Sequence, residues 1–280
     1  MGFKYSIEDY KNIPGLYRSW DGNNPALVPV FFSKDCLINF FYNSQYSCDL
    51  CSETYGSISD DRFNISFGIN KNDKVIFWLC DLKDLPEKER KMLLPFNLDS
   101  DHDINSEFYD AQINCVFTEN ILEVRLLLEK NKINEKFGFS IFKEEKKDID
   151  SLIKKCGQYK KIMFNGEKDF KWIISELSEE LVESIDSASL INKMKFDNKD
   201  KLGSLKLFEK YIKDVYTIKD NLLNSYFILY DLRIWSDHKD GDDKFDSSIR
   251  RLGIKNISYK NTYDVLIKEL SLTHKALLSL

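Results

Sequence analysis

The chain has 280 residues, 42% hydrophobic and 31% charged, with 41 Lys and Arg against 46 Asp and Glu and a formal net charge of −5. That apolar content excludes a disordered chain, and the length suits about two domains. No run approaches the roughly 18 apolar residues of a membrane span, and the acidic balance argues against wholesale electrostatic binding of duplex nucleic acid.

The N-terminal Met1-Gly2-Phe3-Lys4-Tyr5 contains no apolar leader. The expected location is therefore cytoplasmic, with Cys36, Cys48, Cys51, Cys80, Cys115 and Cys156 as free thiols. Cys80 and Cys115 lie in apolar runs and read as small core residues.

Residues 26–32 read as a strand, with Pro29 marking an edge or a bulge. Residues 34–43 suit a short helix. Residues 63–69 alternate apolar and polar, 70–73 (Asn-Lys-Asn-Asp) have turn chemistry, and 74–80 are apolar enough for a central strand. Together they predict a β-hairpin. A helix is expected to start near Asp84, with Asp84 as cap and Pro86 in the first turn. Residues 112–118 read as a further strand, and helical patterns follow near 120–130 and 147–157.

From about residue 165 no strand pattern returns. Ile173, Leu177, Leu181 and Ile185 form one apolar helix stripe, and Leu202, Leu205, Phe208, Tyr211 and Ile212 a second. Leu223, Phe227, Tyr230 and Ile234 form a third. Leu266, Leu270 and Leu277, led by Tyr263, form a fourth. The expected fold class is α+β: a strand-rich mixed domain over 1–160 and a helical bundle over 161–280. Residues 201–280 carry 14 Lys and Arg against 11 Asp and Glu, so the back end is mildly basic on an acidic chain.

The third helix ends Tyr230-Asp231-Leu232-Arg233-Ile234-Trp235-Ser236-Asp237-His238-Lys239. Arg233 and His238, separated by four residues, resemble the Arg-x4–6-His motif of HEPN domains, which are small helical bundles. The resemblance covers roughly residues 165–280. The whole chain is also similar to a group of bacterial proteins with a strand-rich front carrying a segment like Asp81-Leu82-Lys83-Asp84-Leu85-Pro86-Glu87-Lys88-Glu89 and a helical end carrying an Arg…His segment. The HEPN resemblance implies a metal-independent ribonuclease of a toxin or antiphage system, acting as a homodimer with no cofactor. The 2′-hydroxyl of RNA supplies the nucleophile, so the enzyme needs to move protons and stabilise charge. His238 suits proton transfer and Arg233 suits phosphate. Lys239 and Trp235 are candidate substrate contacts. The residue after the arginine, usually polar in active members, is Ile234 here.

A second reading stays open. Arg233 and Asp237 are an i,i+4 pair suited to a surface salt bridge, and His238 suits the negative end of a helix. The chain would then be a non-catalytic, dimerising interaction protein that docks on a defence nuclease or ATPase, with a further protein partner possible through the front domain. Over five helical residues the rotation is about 500°, so the two side chains converge only if the helix bends or ends near Ser236-Asp237.

Three weaker patterns remain. Cys48 and Cys51 have zinc-knuckle spacing but lack a second pair, so ordinary thiols and no metal are expected. Asp99, Asp101, Asp103 and Asn105 resemble the opening of a calcium loop, yet Ile104 and Asp110 stand where Gly and Glu are needed, and a solvated acidic loop is expected. Asp60, Asp61, Asp81 and Lys83 match the residue types of a Mg²⁺ nuclease, with Asp81 placed past its strand. Of Trp20, Trp78, Trp172 and Trp235, most read as core.

Overall fold

The computed structural model describes residues 2–9, 27–143, 156–157, 159–197, 201–216, 221–237 and 242–280. The chain is α+β and divides into two compact units, Met1–Ile121 and Leu122–Leu280. The helical unit thus begins earlier than the 160/161 division expected from sequence, because the helix that opens at Leu122 packs on the C-terminal helix.

In the first unit, β1 (Pro29–Ser33), β2 (Ser47–Leu50), β3 (Tyr55–Ser59), β4 (Asn64–Ile69), β5 (Lys74–Trp78) and β6 (Asn97–Leu98) form one antiparallel sheet in the order β2-β3-β4-β5-β1-β6. The expected hairpin is β4–β5. Asn70 closes its turn: its side-chain oxygen accepts from the backbone N–H groups of Asn72 and Lys74, both at 3.0 Å, and Asp73 takes a left-handed φ of 59°. β5 and β1 are almost wholly buried, which explains their near-continuous apolar runs. Pro29 opens β1, a strand flanked on both sides. It therefore marks a strand start, not an edge or a bulge, and costs no ladder hydrogen bond there.

A 3-10 turn (Lys34–Leu37) and α1 (Ile38–Phe41) fill the expected 34–43 helix. Asp84 does not cap a helix. It ends α2 (Leu79–Asp84), and α3 (Glu87–Leu93) starts after Pro86, with no side-chain cap. The expected strand at 112–118 is absent. A short helix α4 (Glu107–Tyr109) runs into a π turn (Asp110–Asn114), and Cys115 leaves it in a left-handed conformation. Cys115, Val116 and Phe117 are exposed. What holds the segment upstream is Phe108, fully buried between Trp78 (ring centroids 5.0 Å apart) and Tyr55 (5.9 Å). Glu107 secures it by accepting from the Thr54 backbone N–H at 2.6 Å and the Ser52 hydroxyl at 2.9 Å.

The second unit comprises α5 (Leu122–Phe137), α6 (Glu167–Ser178) with a π continuation (Glu179–Glu183), α7 (Ser187–Met194), α8 (Ser204–Tyr216), α9 (Asn224–Asp237), α10 (Asp242–Arg251) and α11 (Tyr259–Ser279). The pattern at 147–155 falls outside the described residues. The first, second and fourth stripes face the interior, save that Leu202 is only partly buried. The third does not. On α9 the buried face is Tyr226, Ile228, Leu229, Leu232 and Trp235, whereas Tyr230 is 47% exposed. The helix is apolar nearly all round, so two stripes offset by about one residue compete. The choice falls to the face that packs between α6 and α11. Ser258 caps α11 by accepting from the Asn261 N–H, and Asp186 caps α7 through Ser189. Among the described residues no helix is long and apolar enough to cross a membrane.

Candidate functional site

Arg233 lies on the last turn of α9, on the flank beside the π continuation of α6. Its Nη1 meets the Asp237 carboxylate one turn on. Its Nε is buried without a hydrogen bond. Glu183 Oε1 stands 3.8 Å from Nε, too far for a hydrogen bond. The side chain retains 27% exposure, and among the described residues Nη2 has no partner. The arginine is therefore held at Nη1, covered at Nε and partly exposed as a whole. The flanking Asp237 is itself half-exposed, so the pair contributes only a few tenths of a kcal/mol, roughly, to stability.

His238 and Lys239 lie outside the described residues. Trp235 is 8% exposed, in an aromatic cluster with Phe245 (4.7 Å), Phe170 (6.0 Å) and Tyr259 (6.1 Å), and Lys171 Nζ lies 4.7 Å from its ring centroid. Both ring and cluster join α6, α9, α10 and α11 near the arginine. On the neighbouring face of α9, Asp231 accepts from Lys244 and Arg251, each at 2.8 Å, tying α10 to α9.

A second polar constellation sits in the interior of the same unit. Tyr226 donates its hydroxyl to His274 Nε2 at 2.7 Å, and His274 Nδ1 lies 3.1 Å from Glu129 Oε2. Tyr226 and His274 are fully buried. Burial holds His274 below the ordinary histidine range, outweighing the Glu129 hydrogen bond and charge. The neutral Nδ1–H tautomer satisfies both bonds. Burial likewise pushes the Tyr226 phenol well up. Beside it the Ser225 and Thr273 hydroxyls are 2.7 Å apart. None of this was read from sequence, although a signal exists: His274 stands on the Tyr263, Leu266, Leu270, Leu277 stripe.

The other sequence patterns resolve into structural roles. Cys48 points into the core from β2, while Cys51, just past the strand's end, is exposed, so the two thiols do not share a face. Partial desolvation, with the Asp49 charge, raises the Cys51 thiol above its ordinary range, and burial pushes Cys80 to about 11. The acidic loop is not freely solvated. Asp101 accepts from Asn70 (3.1 Å) and Asn72 (3.0 Å), and Asp103 meets Lys71, so the loop clasps the β4–β5 turn. Asp60 is committed to Arg62, which also binds the buried Glu89 at 2.6 Å, while the Tyr46 hydroxyl donates to Glu89 at 2.7 Å. Among the described residues no group of three or more His, Cys, Asp or Glu side chains is placed to hold a metal ion. Trp78 is core, Trp172 is 41% exposed rather than buried, and Trp20 falls outside the described residues. Comparison with protein-family models, curated proteins and solved structures gives no match.

Proposed function

We propose that the chain is a metal-independent endoribonuclease of the HEPN type, serving a bacterial toxin or antiphage defence system as a homodimer. Arg233 holds the scissile phosphate, His238 transfers the proton, and Lys239 adds charge. The front unit senses a trigger or binds a protein partner. The reading is supported above all by the state of Arg233: it sits on the end turn of a bundle helix, tied at Nη1 to Asp237, with its side chain still 27% exposed. The test is incubation of RNA with the full chain in EDTA. Cleavage is expected, and it is lost in folded His238→Ala.

A non-catalytic interaction protein is the second reading, and one observation favours it. Two carboxylates, Asp237 and Glu183, face Arg233 and offset its charge. On that reading Arg233→Ala shifts the oligomeric state measured by sedimentation, and RNA stays intact with wild type and variant alike.

A further inference from the structure

We propose that the first unit binds a small oxyanion carrying a short apolar or aromatic body, in the cavity beside α3, with Arg90 as the charge that receives it. The cavity has a volume of about 390 Å³ and is lined, among the described residues, by Phe3, Glu87, Arg90, Lys91 and Leu94. That is near the lower end of the roughly 300–1,000 Å³ of ligand pockets, and far more than one inorganic ion fills.

The lining divides by chemistry. Lys91 is committed to Glu87 at 2.6 Å, an i,i+4 pair on α3 that neutralises itself. Arg90, between them in sequence, is exposed and has no hydrogen bond or ion pair from its side chain among the described residues; its charge also acts on Glu87, and the three side chains together leave one net positive charge beside the cavity. A guanidinium presents a planar fork of N–H donors matched to a carboxylate or a phosphate. Phe3 and Leu94 supply apolar wall, and both are only partly buried, leaving surface for a ligand to cover.

The Phe3 wall is fixed in place. Its ring packs edge-on against Phe32 at 5.5 Å. Its neighbour Lys4 is held at both backbone groups by Asn97: the Lys4 N–H donates to Oδ1 at 2.5 Å, and the Asn97 amide donates to the Lys4 carbonyl at 3.2 Å. The same amide donates to the Phe31 carbonyl at 2.9 Å, tying the segment to the sheet. A pre-set wall avoids ordering cost on binding. The site lies in the first unit and stands whether or not the second unit cleaves RNA.

The test is isothermal titration of the full chain with 1-naphthyl phosphate and with 1-naphthoate, beside inorganic phosphate and Arg90→Met. Methionine keeps an apolar stem and removes the charge; Arg90→Gln makes the same comparison if the first variant misfolds by circular dichroism. Expected is one-to-one binding of at least one naphthyl probe, weakened about tenfold or more in the variant and exceeding that of inorganic phosphate. The probe that binds tells a phosphate site from a carboxylate site. No saturable binding of either probe, equal binding by wild type and variant, or equal binding of inorganic phosphate overturns the proposal.

Discussion

Tyr226 and His274 share a 2.7 Å hydrogen bond, Oη to Nε2, in the interior of the helical unit, where neither side chain meets solvent. It joins α9 to α11, and Glu129 on α5 completes the link from the other ring nitrogen. Removing the hydroxyl alone leaves a buried acceptor unpaired. Tyr226→Phe is therefore expected to destabilise the unit by about 1–3 kcal/mol. Urea denaturation followed by circular dichroism measures it; an unchanged midpoint would show that the bond carries no net stability.

The same pair makes the unit acid-labile. His274 is held neutral in the fold by burial, with a pKa below its unfolded value. Between those two values the unfolded chain binds the extra proton, so stability falls as pH drops below about 6.5 and levels off once the folded form protonates too. Glu129, whose pKa burial raises but the His274 hydrogen bond lowers on balance, adds a loss in the same direction as pH falls below about 4.5. Urea midpoints at about pH 7.5 and about pH 5.5 should differ, the lower pH being less stable. A His274→Gln variant should show a smaller difference.

In the sheet unit the side chain with most to lose is Phe108, which is fully buried against Trp78 and Tyr55. It also fills the space that a Cβ at Gly68 would occupy. Phe108→Ala is expected to cost about 3–5 kcal/mol. Gly68→Ala should destabilise as well, by forcing the ring aside. Guanidinium denaturation of the two variants checks both.

The β4–β5 hairpin was legible because the alternation of one strand, the apolar run of the next and the Asn-Lys-Asn-Asp turn agree. Three of the four helix stripes were legible because one face alone is apolar. On α9 that condition fails, and packing against α6 and α11 picked Tyr226, Leu229 and Leu232 over Phe227 and Tyr230. Residues 112–118 mimic a strand in composition, yet among the described residues they have no sheet partner, and Phe108 upstream takes the core position. At the candidate site the Arg233–Asp237 pair follows from helical spacing. The approach of Glu183 comes from tertiary packing and has no local signal. The Tyr226–His274–Glu129 link is also tertiary, though a histidine on an otherwise apolar stripe points to it.

Charge at Arg233 can be separated from its fixing. Asp237→Asn keeps a side chain that reaches Nη1 and removes the offsetting charge. On the ribonuclease reading this variant binds RNA at least as tightly as wild type, while Arg233→Ala weakens binding and cleavage together. Filter binding at several salt concentrations checks it, with a shallower salt slope expected for Arg233→Ala.

The central claim rests on the substrate's own 2′-hydroxyl acting as nucleophile under Arg233 and His238. The most direct measurement compares an oligoribonucleotide with the same sequence made of 2′-deoxyribose, each incubated with the full chain in EDTA and resolved by gel. Cleavage of the ribose form alone is expected, and none by folded His238→Ala. Intact RNA with a dimeric wild type, or equal cleavage by wild type and His238→Ala, would contradict it.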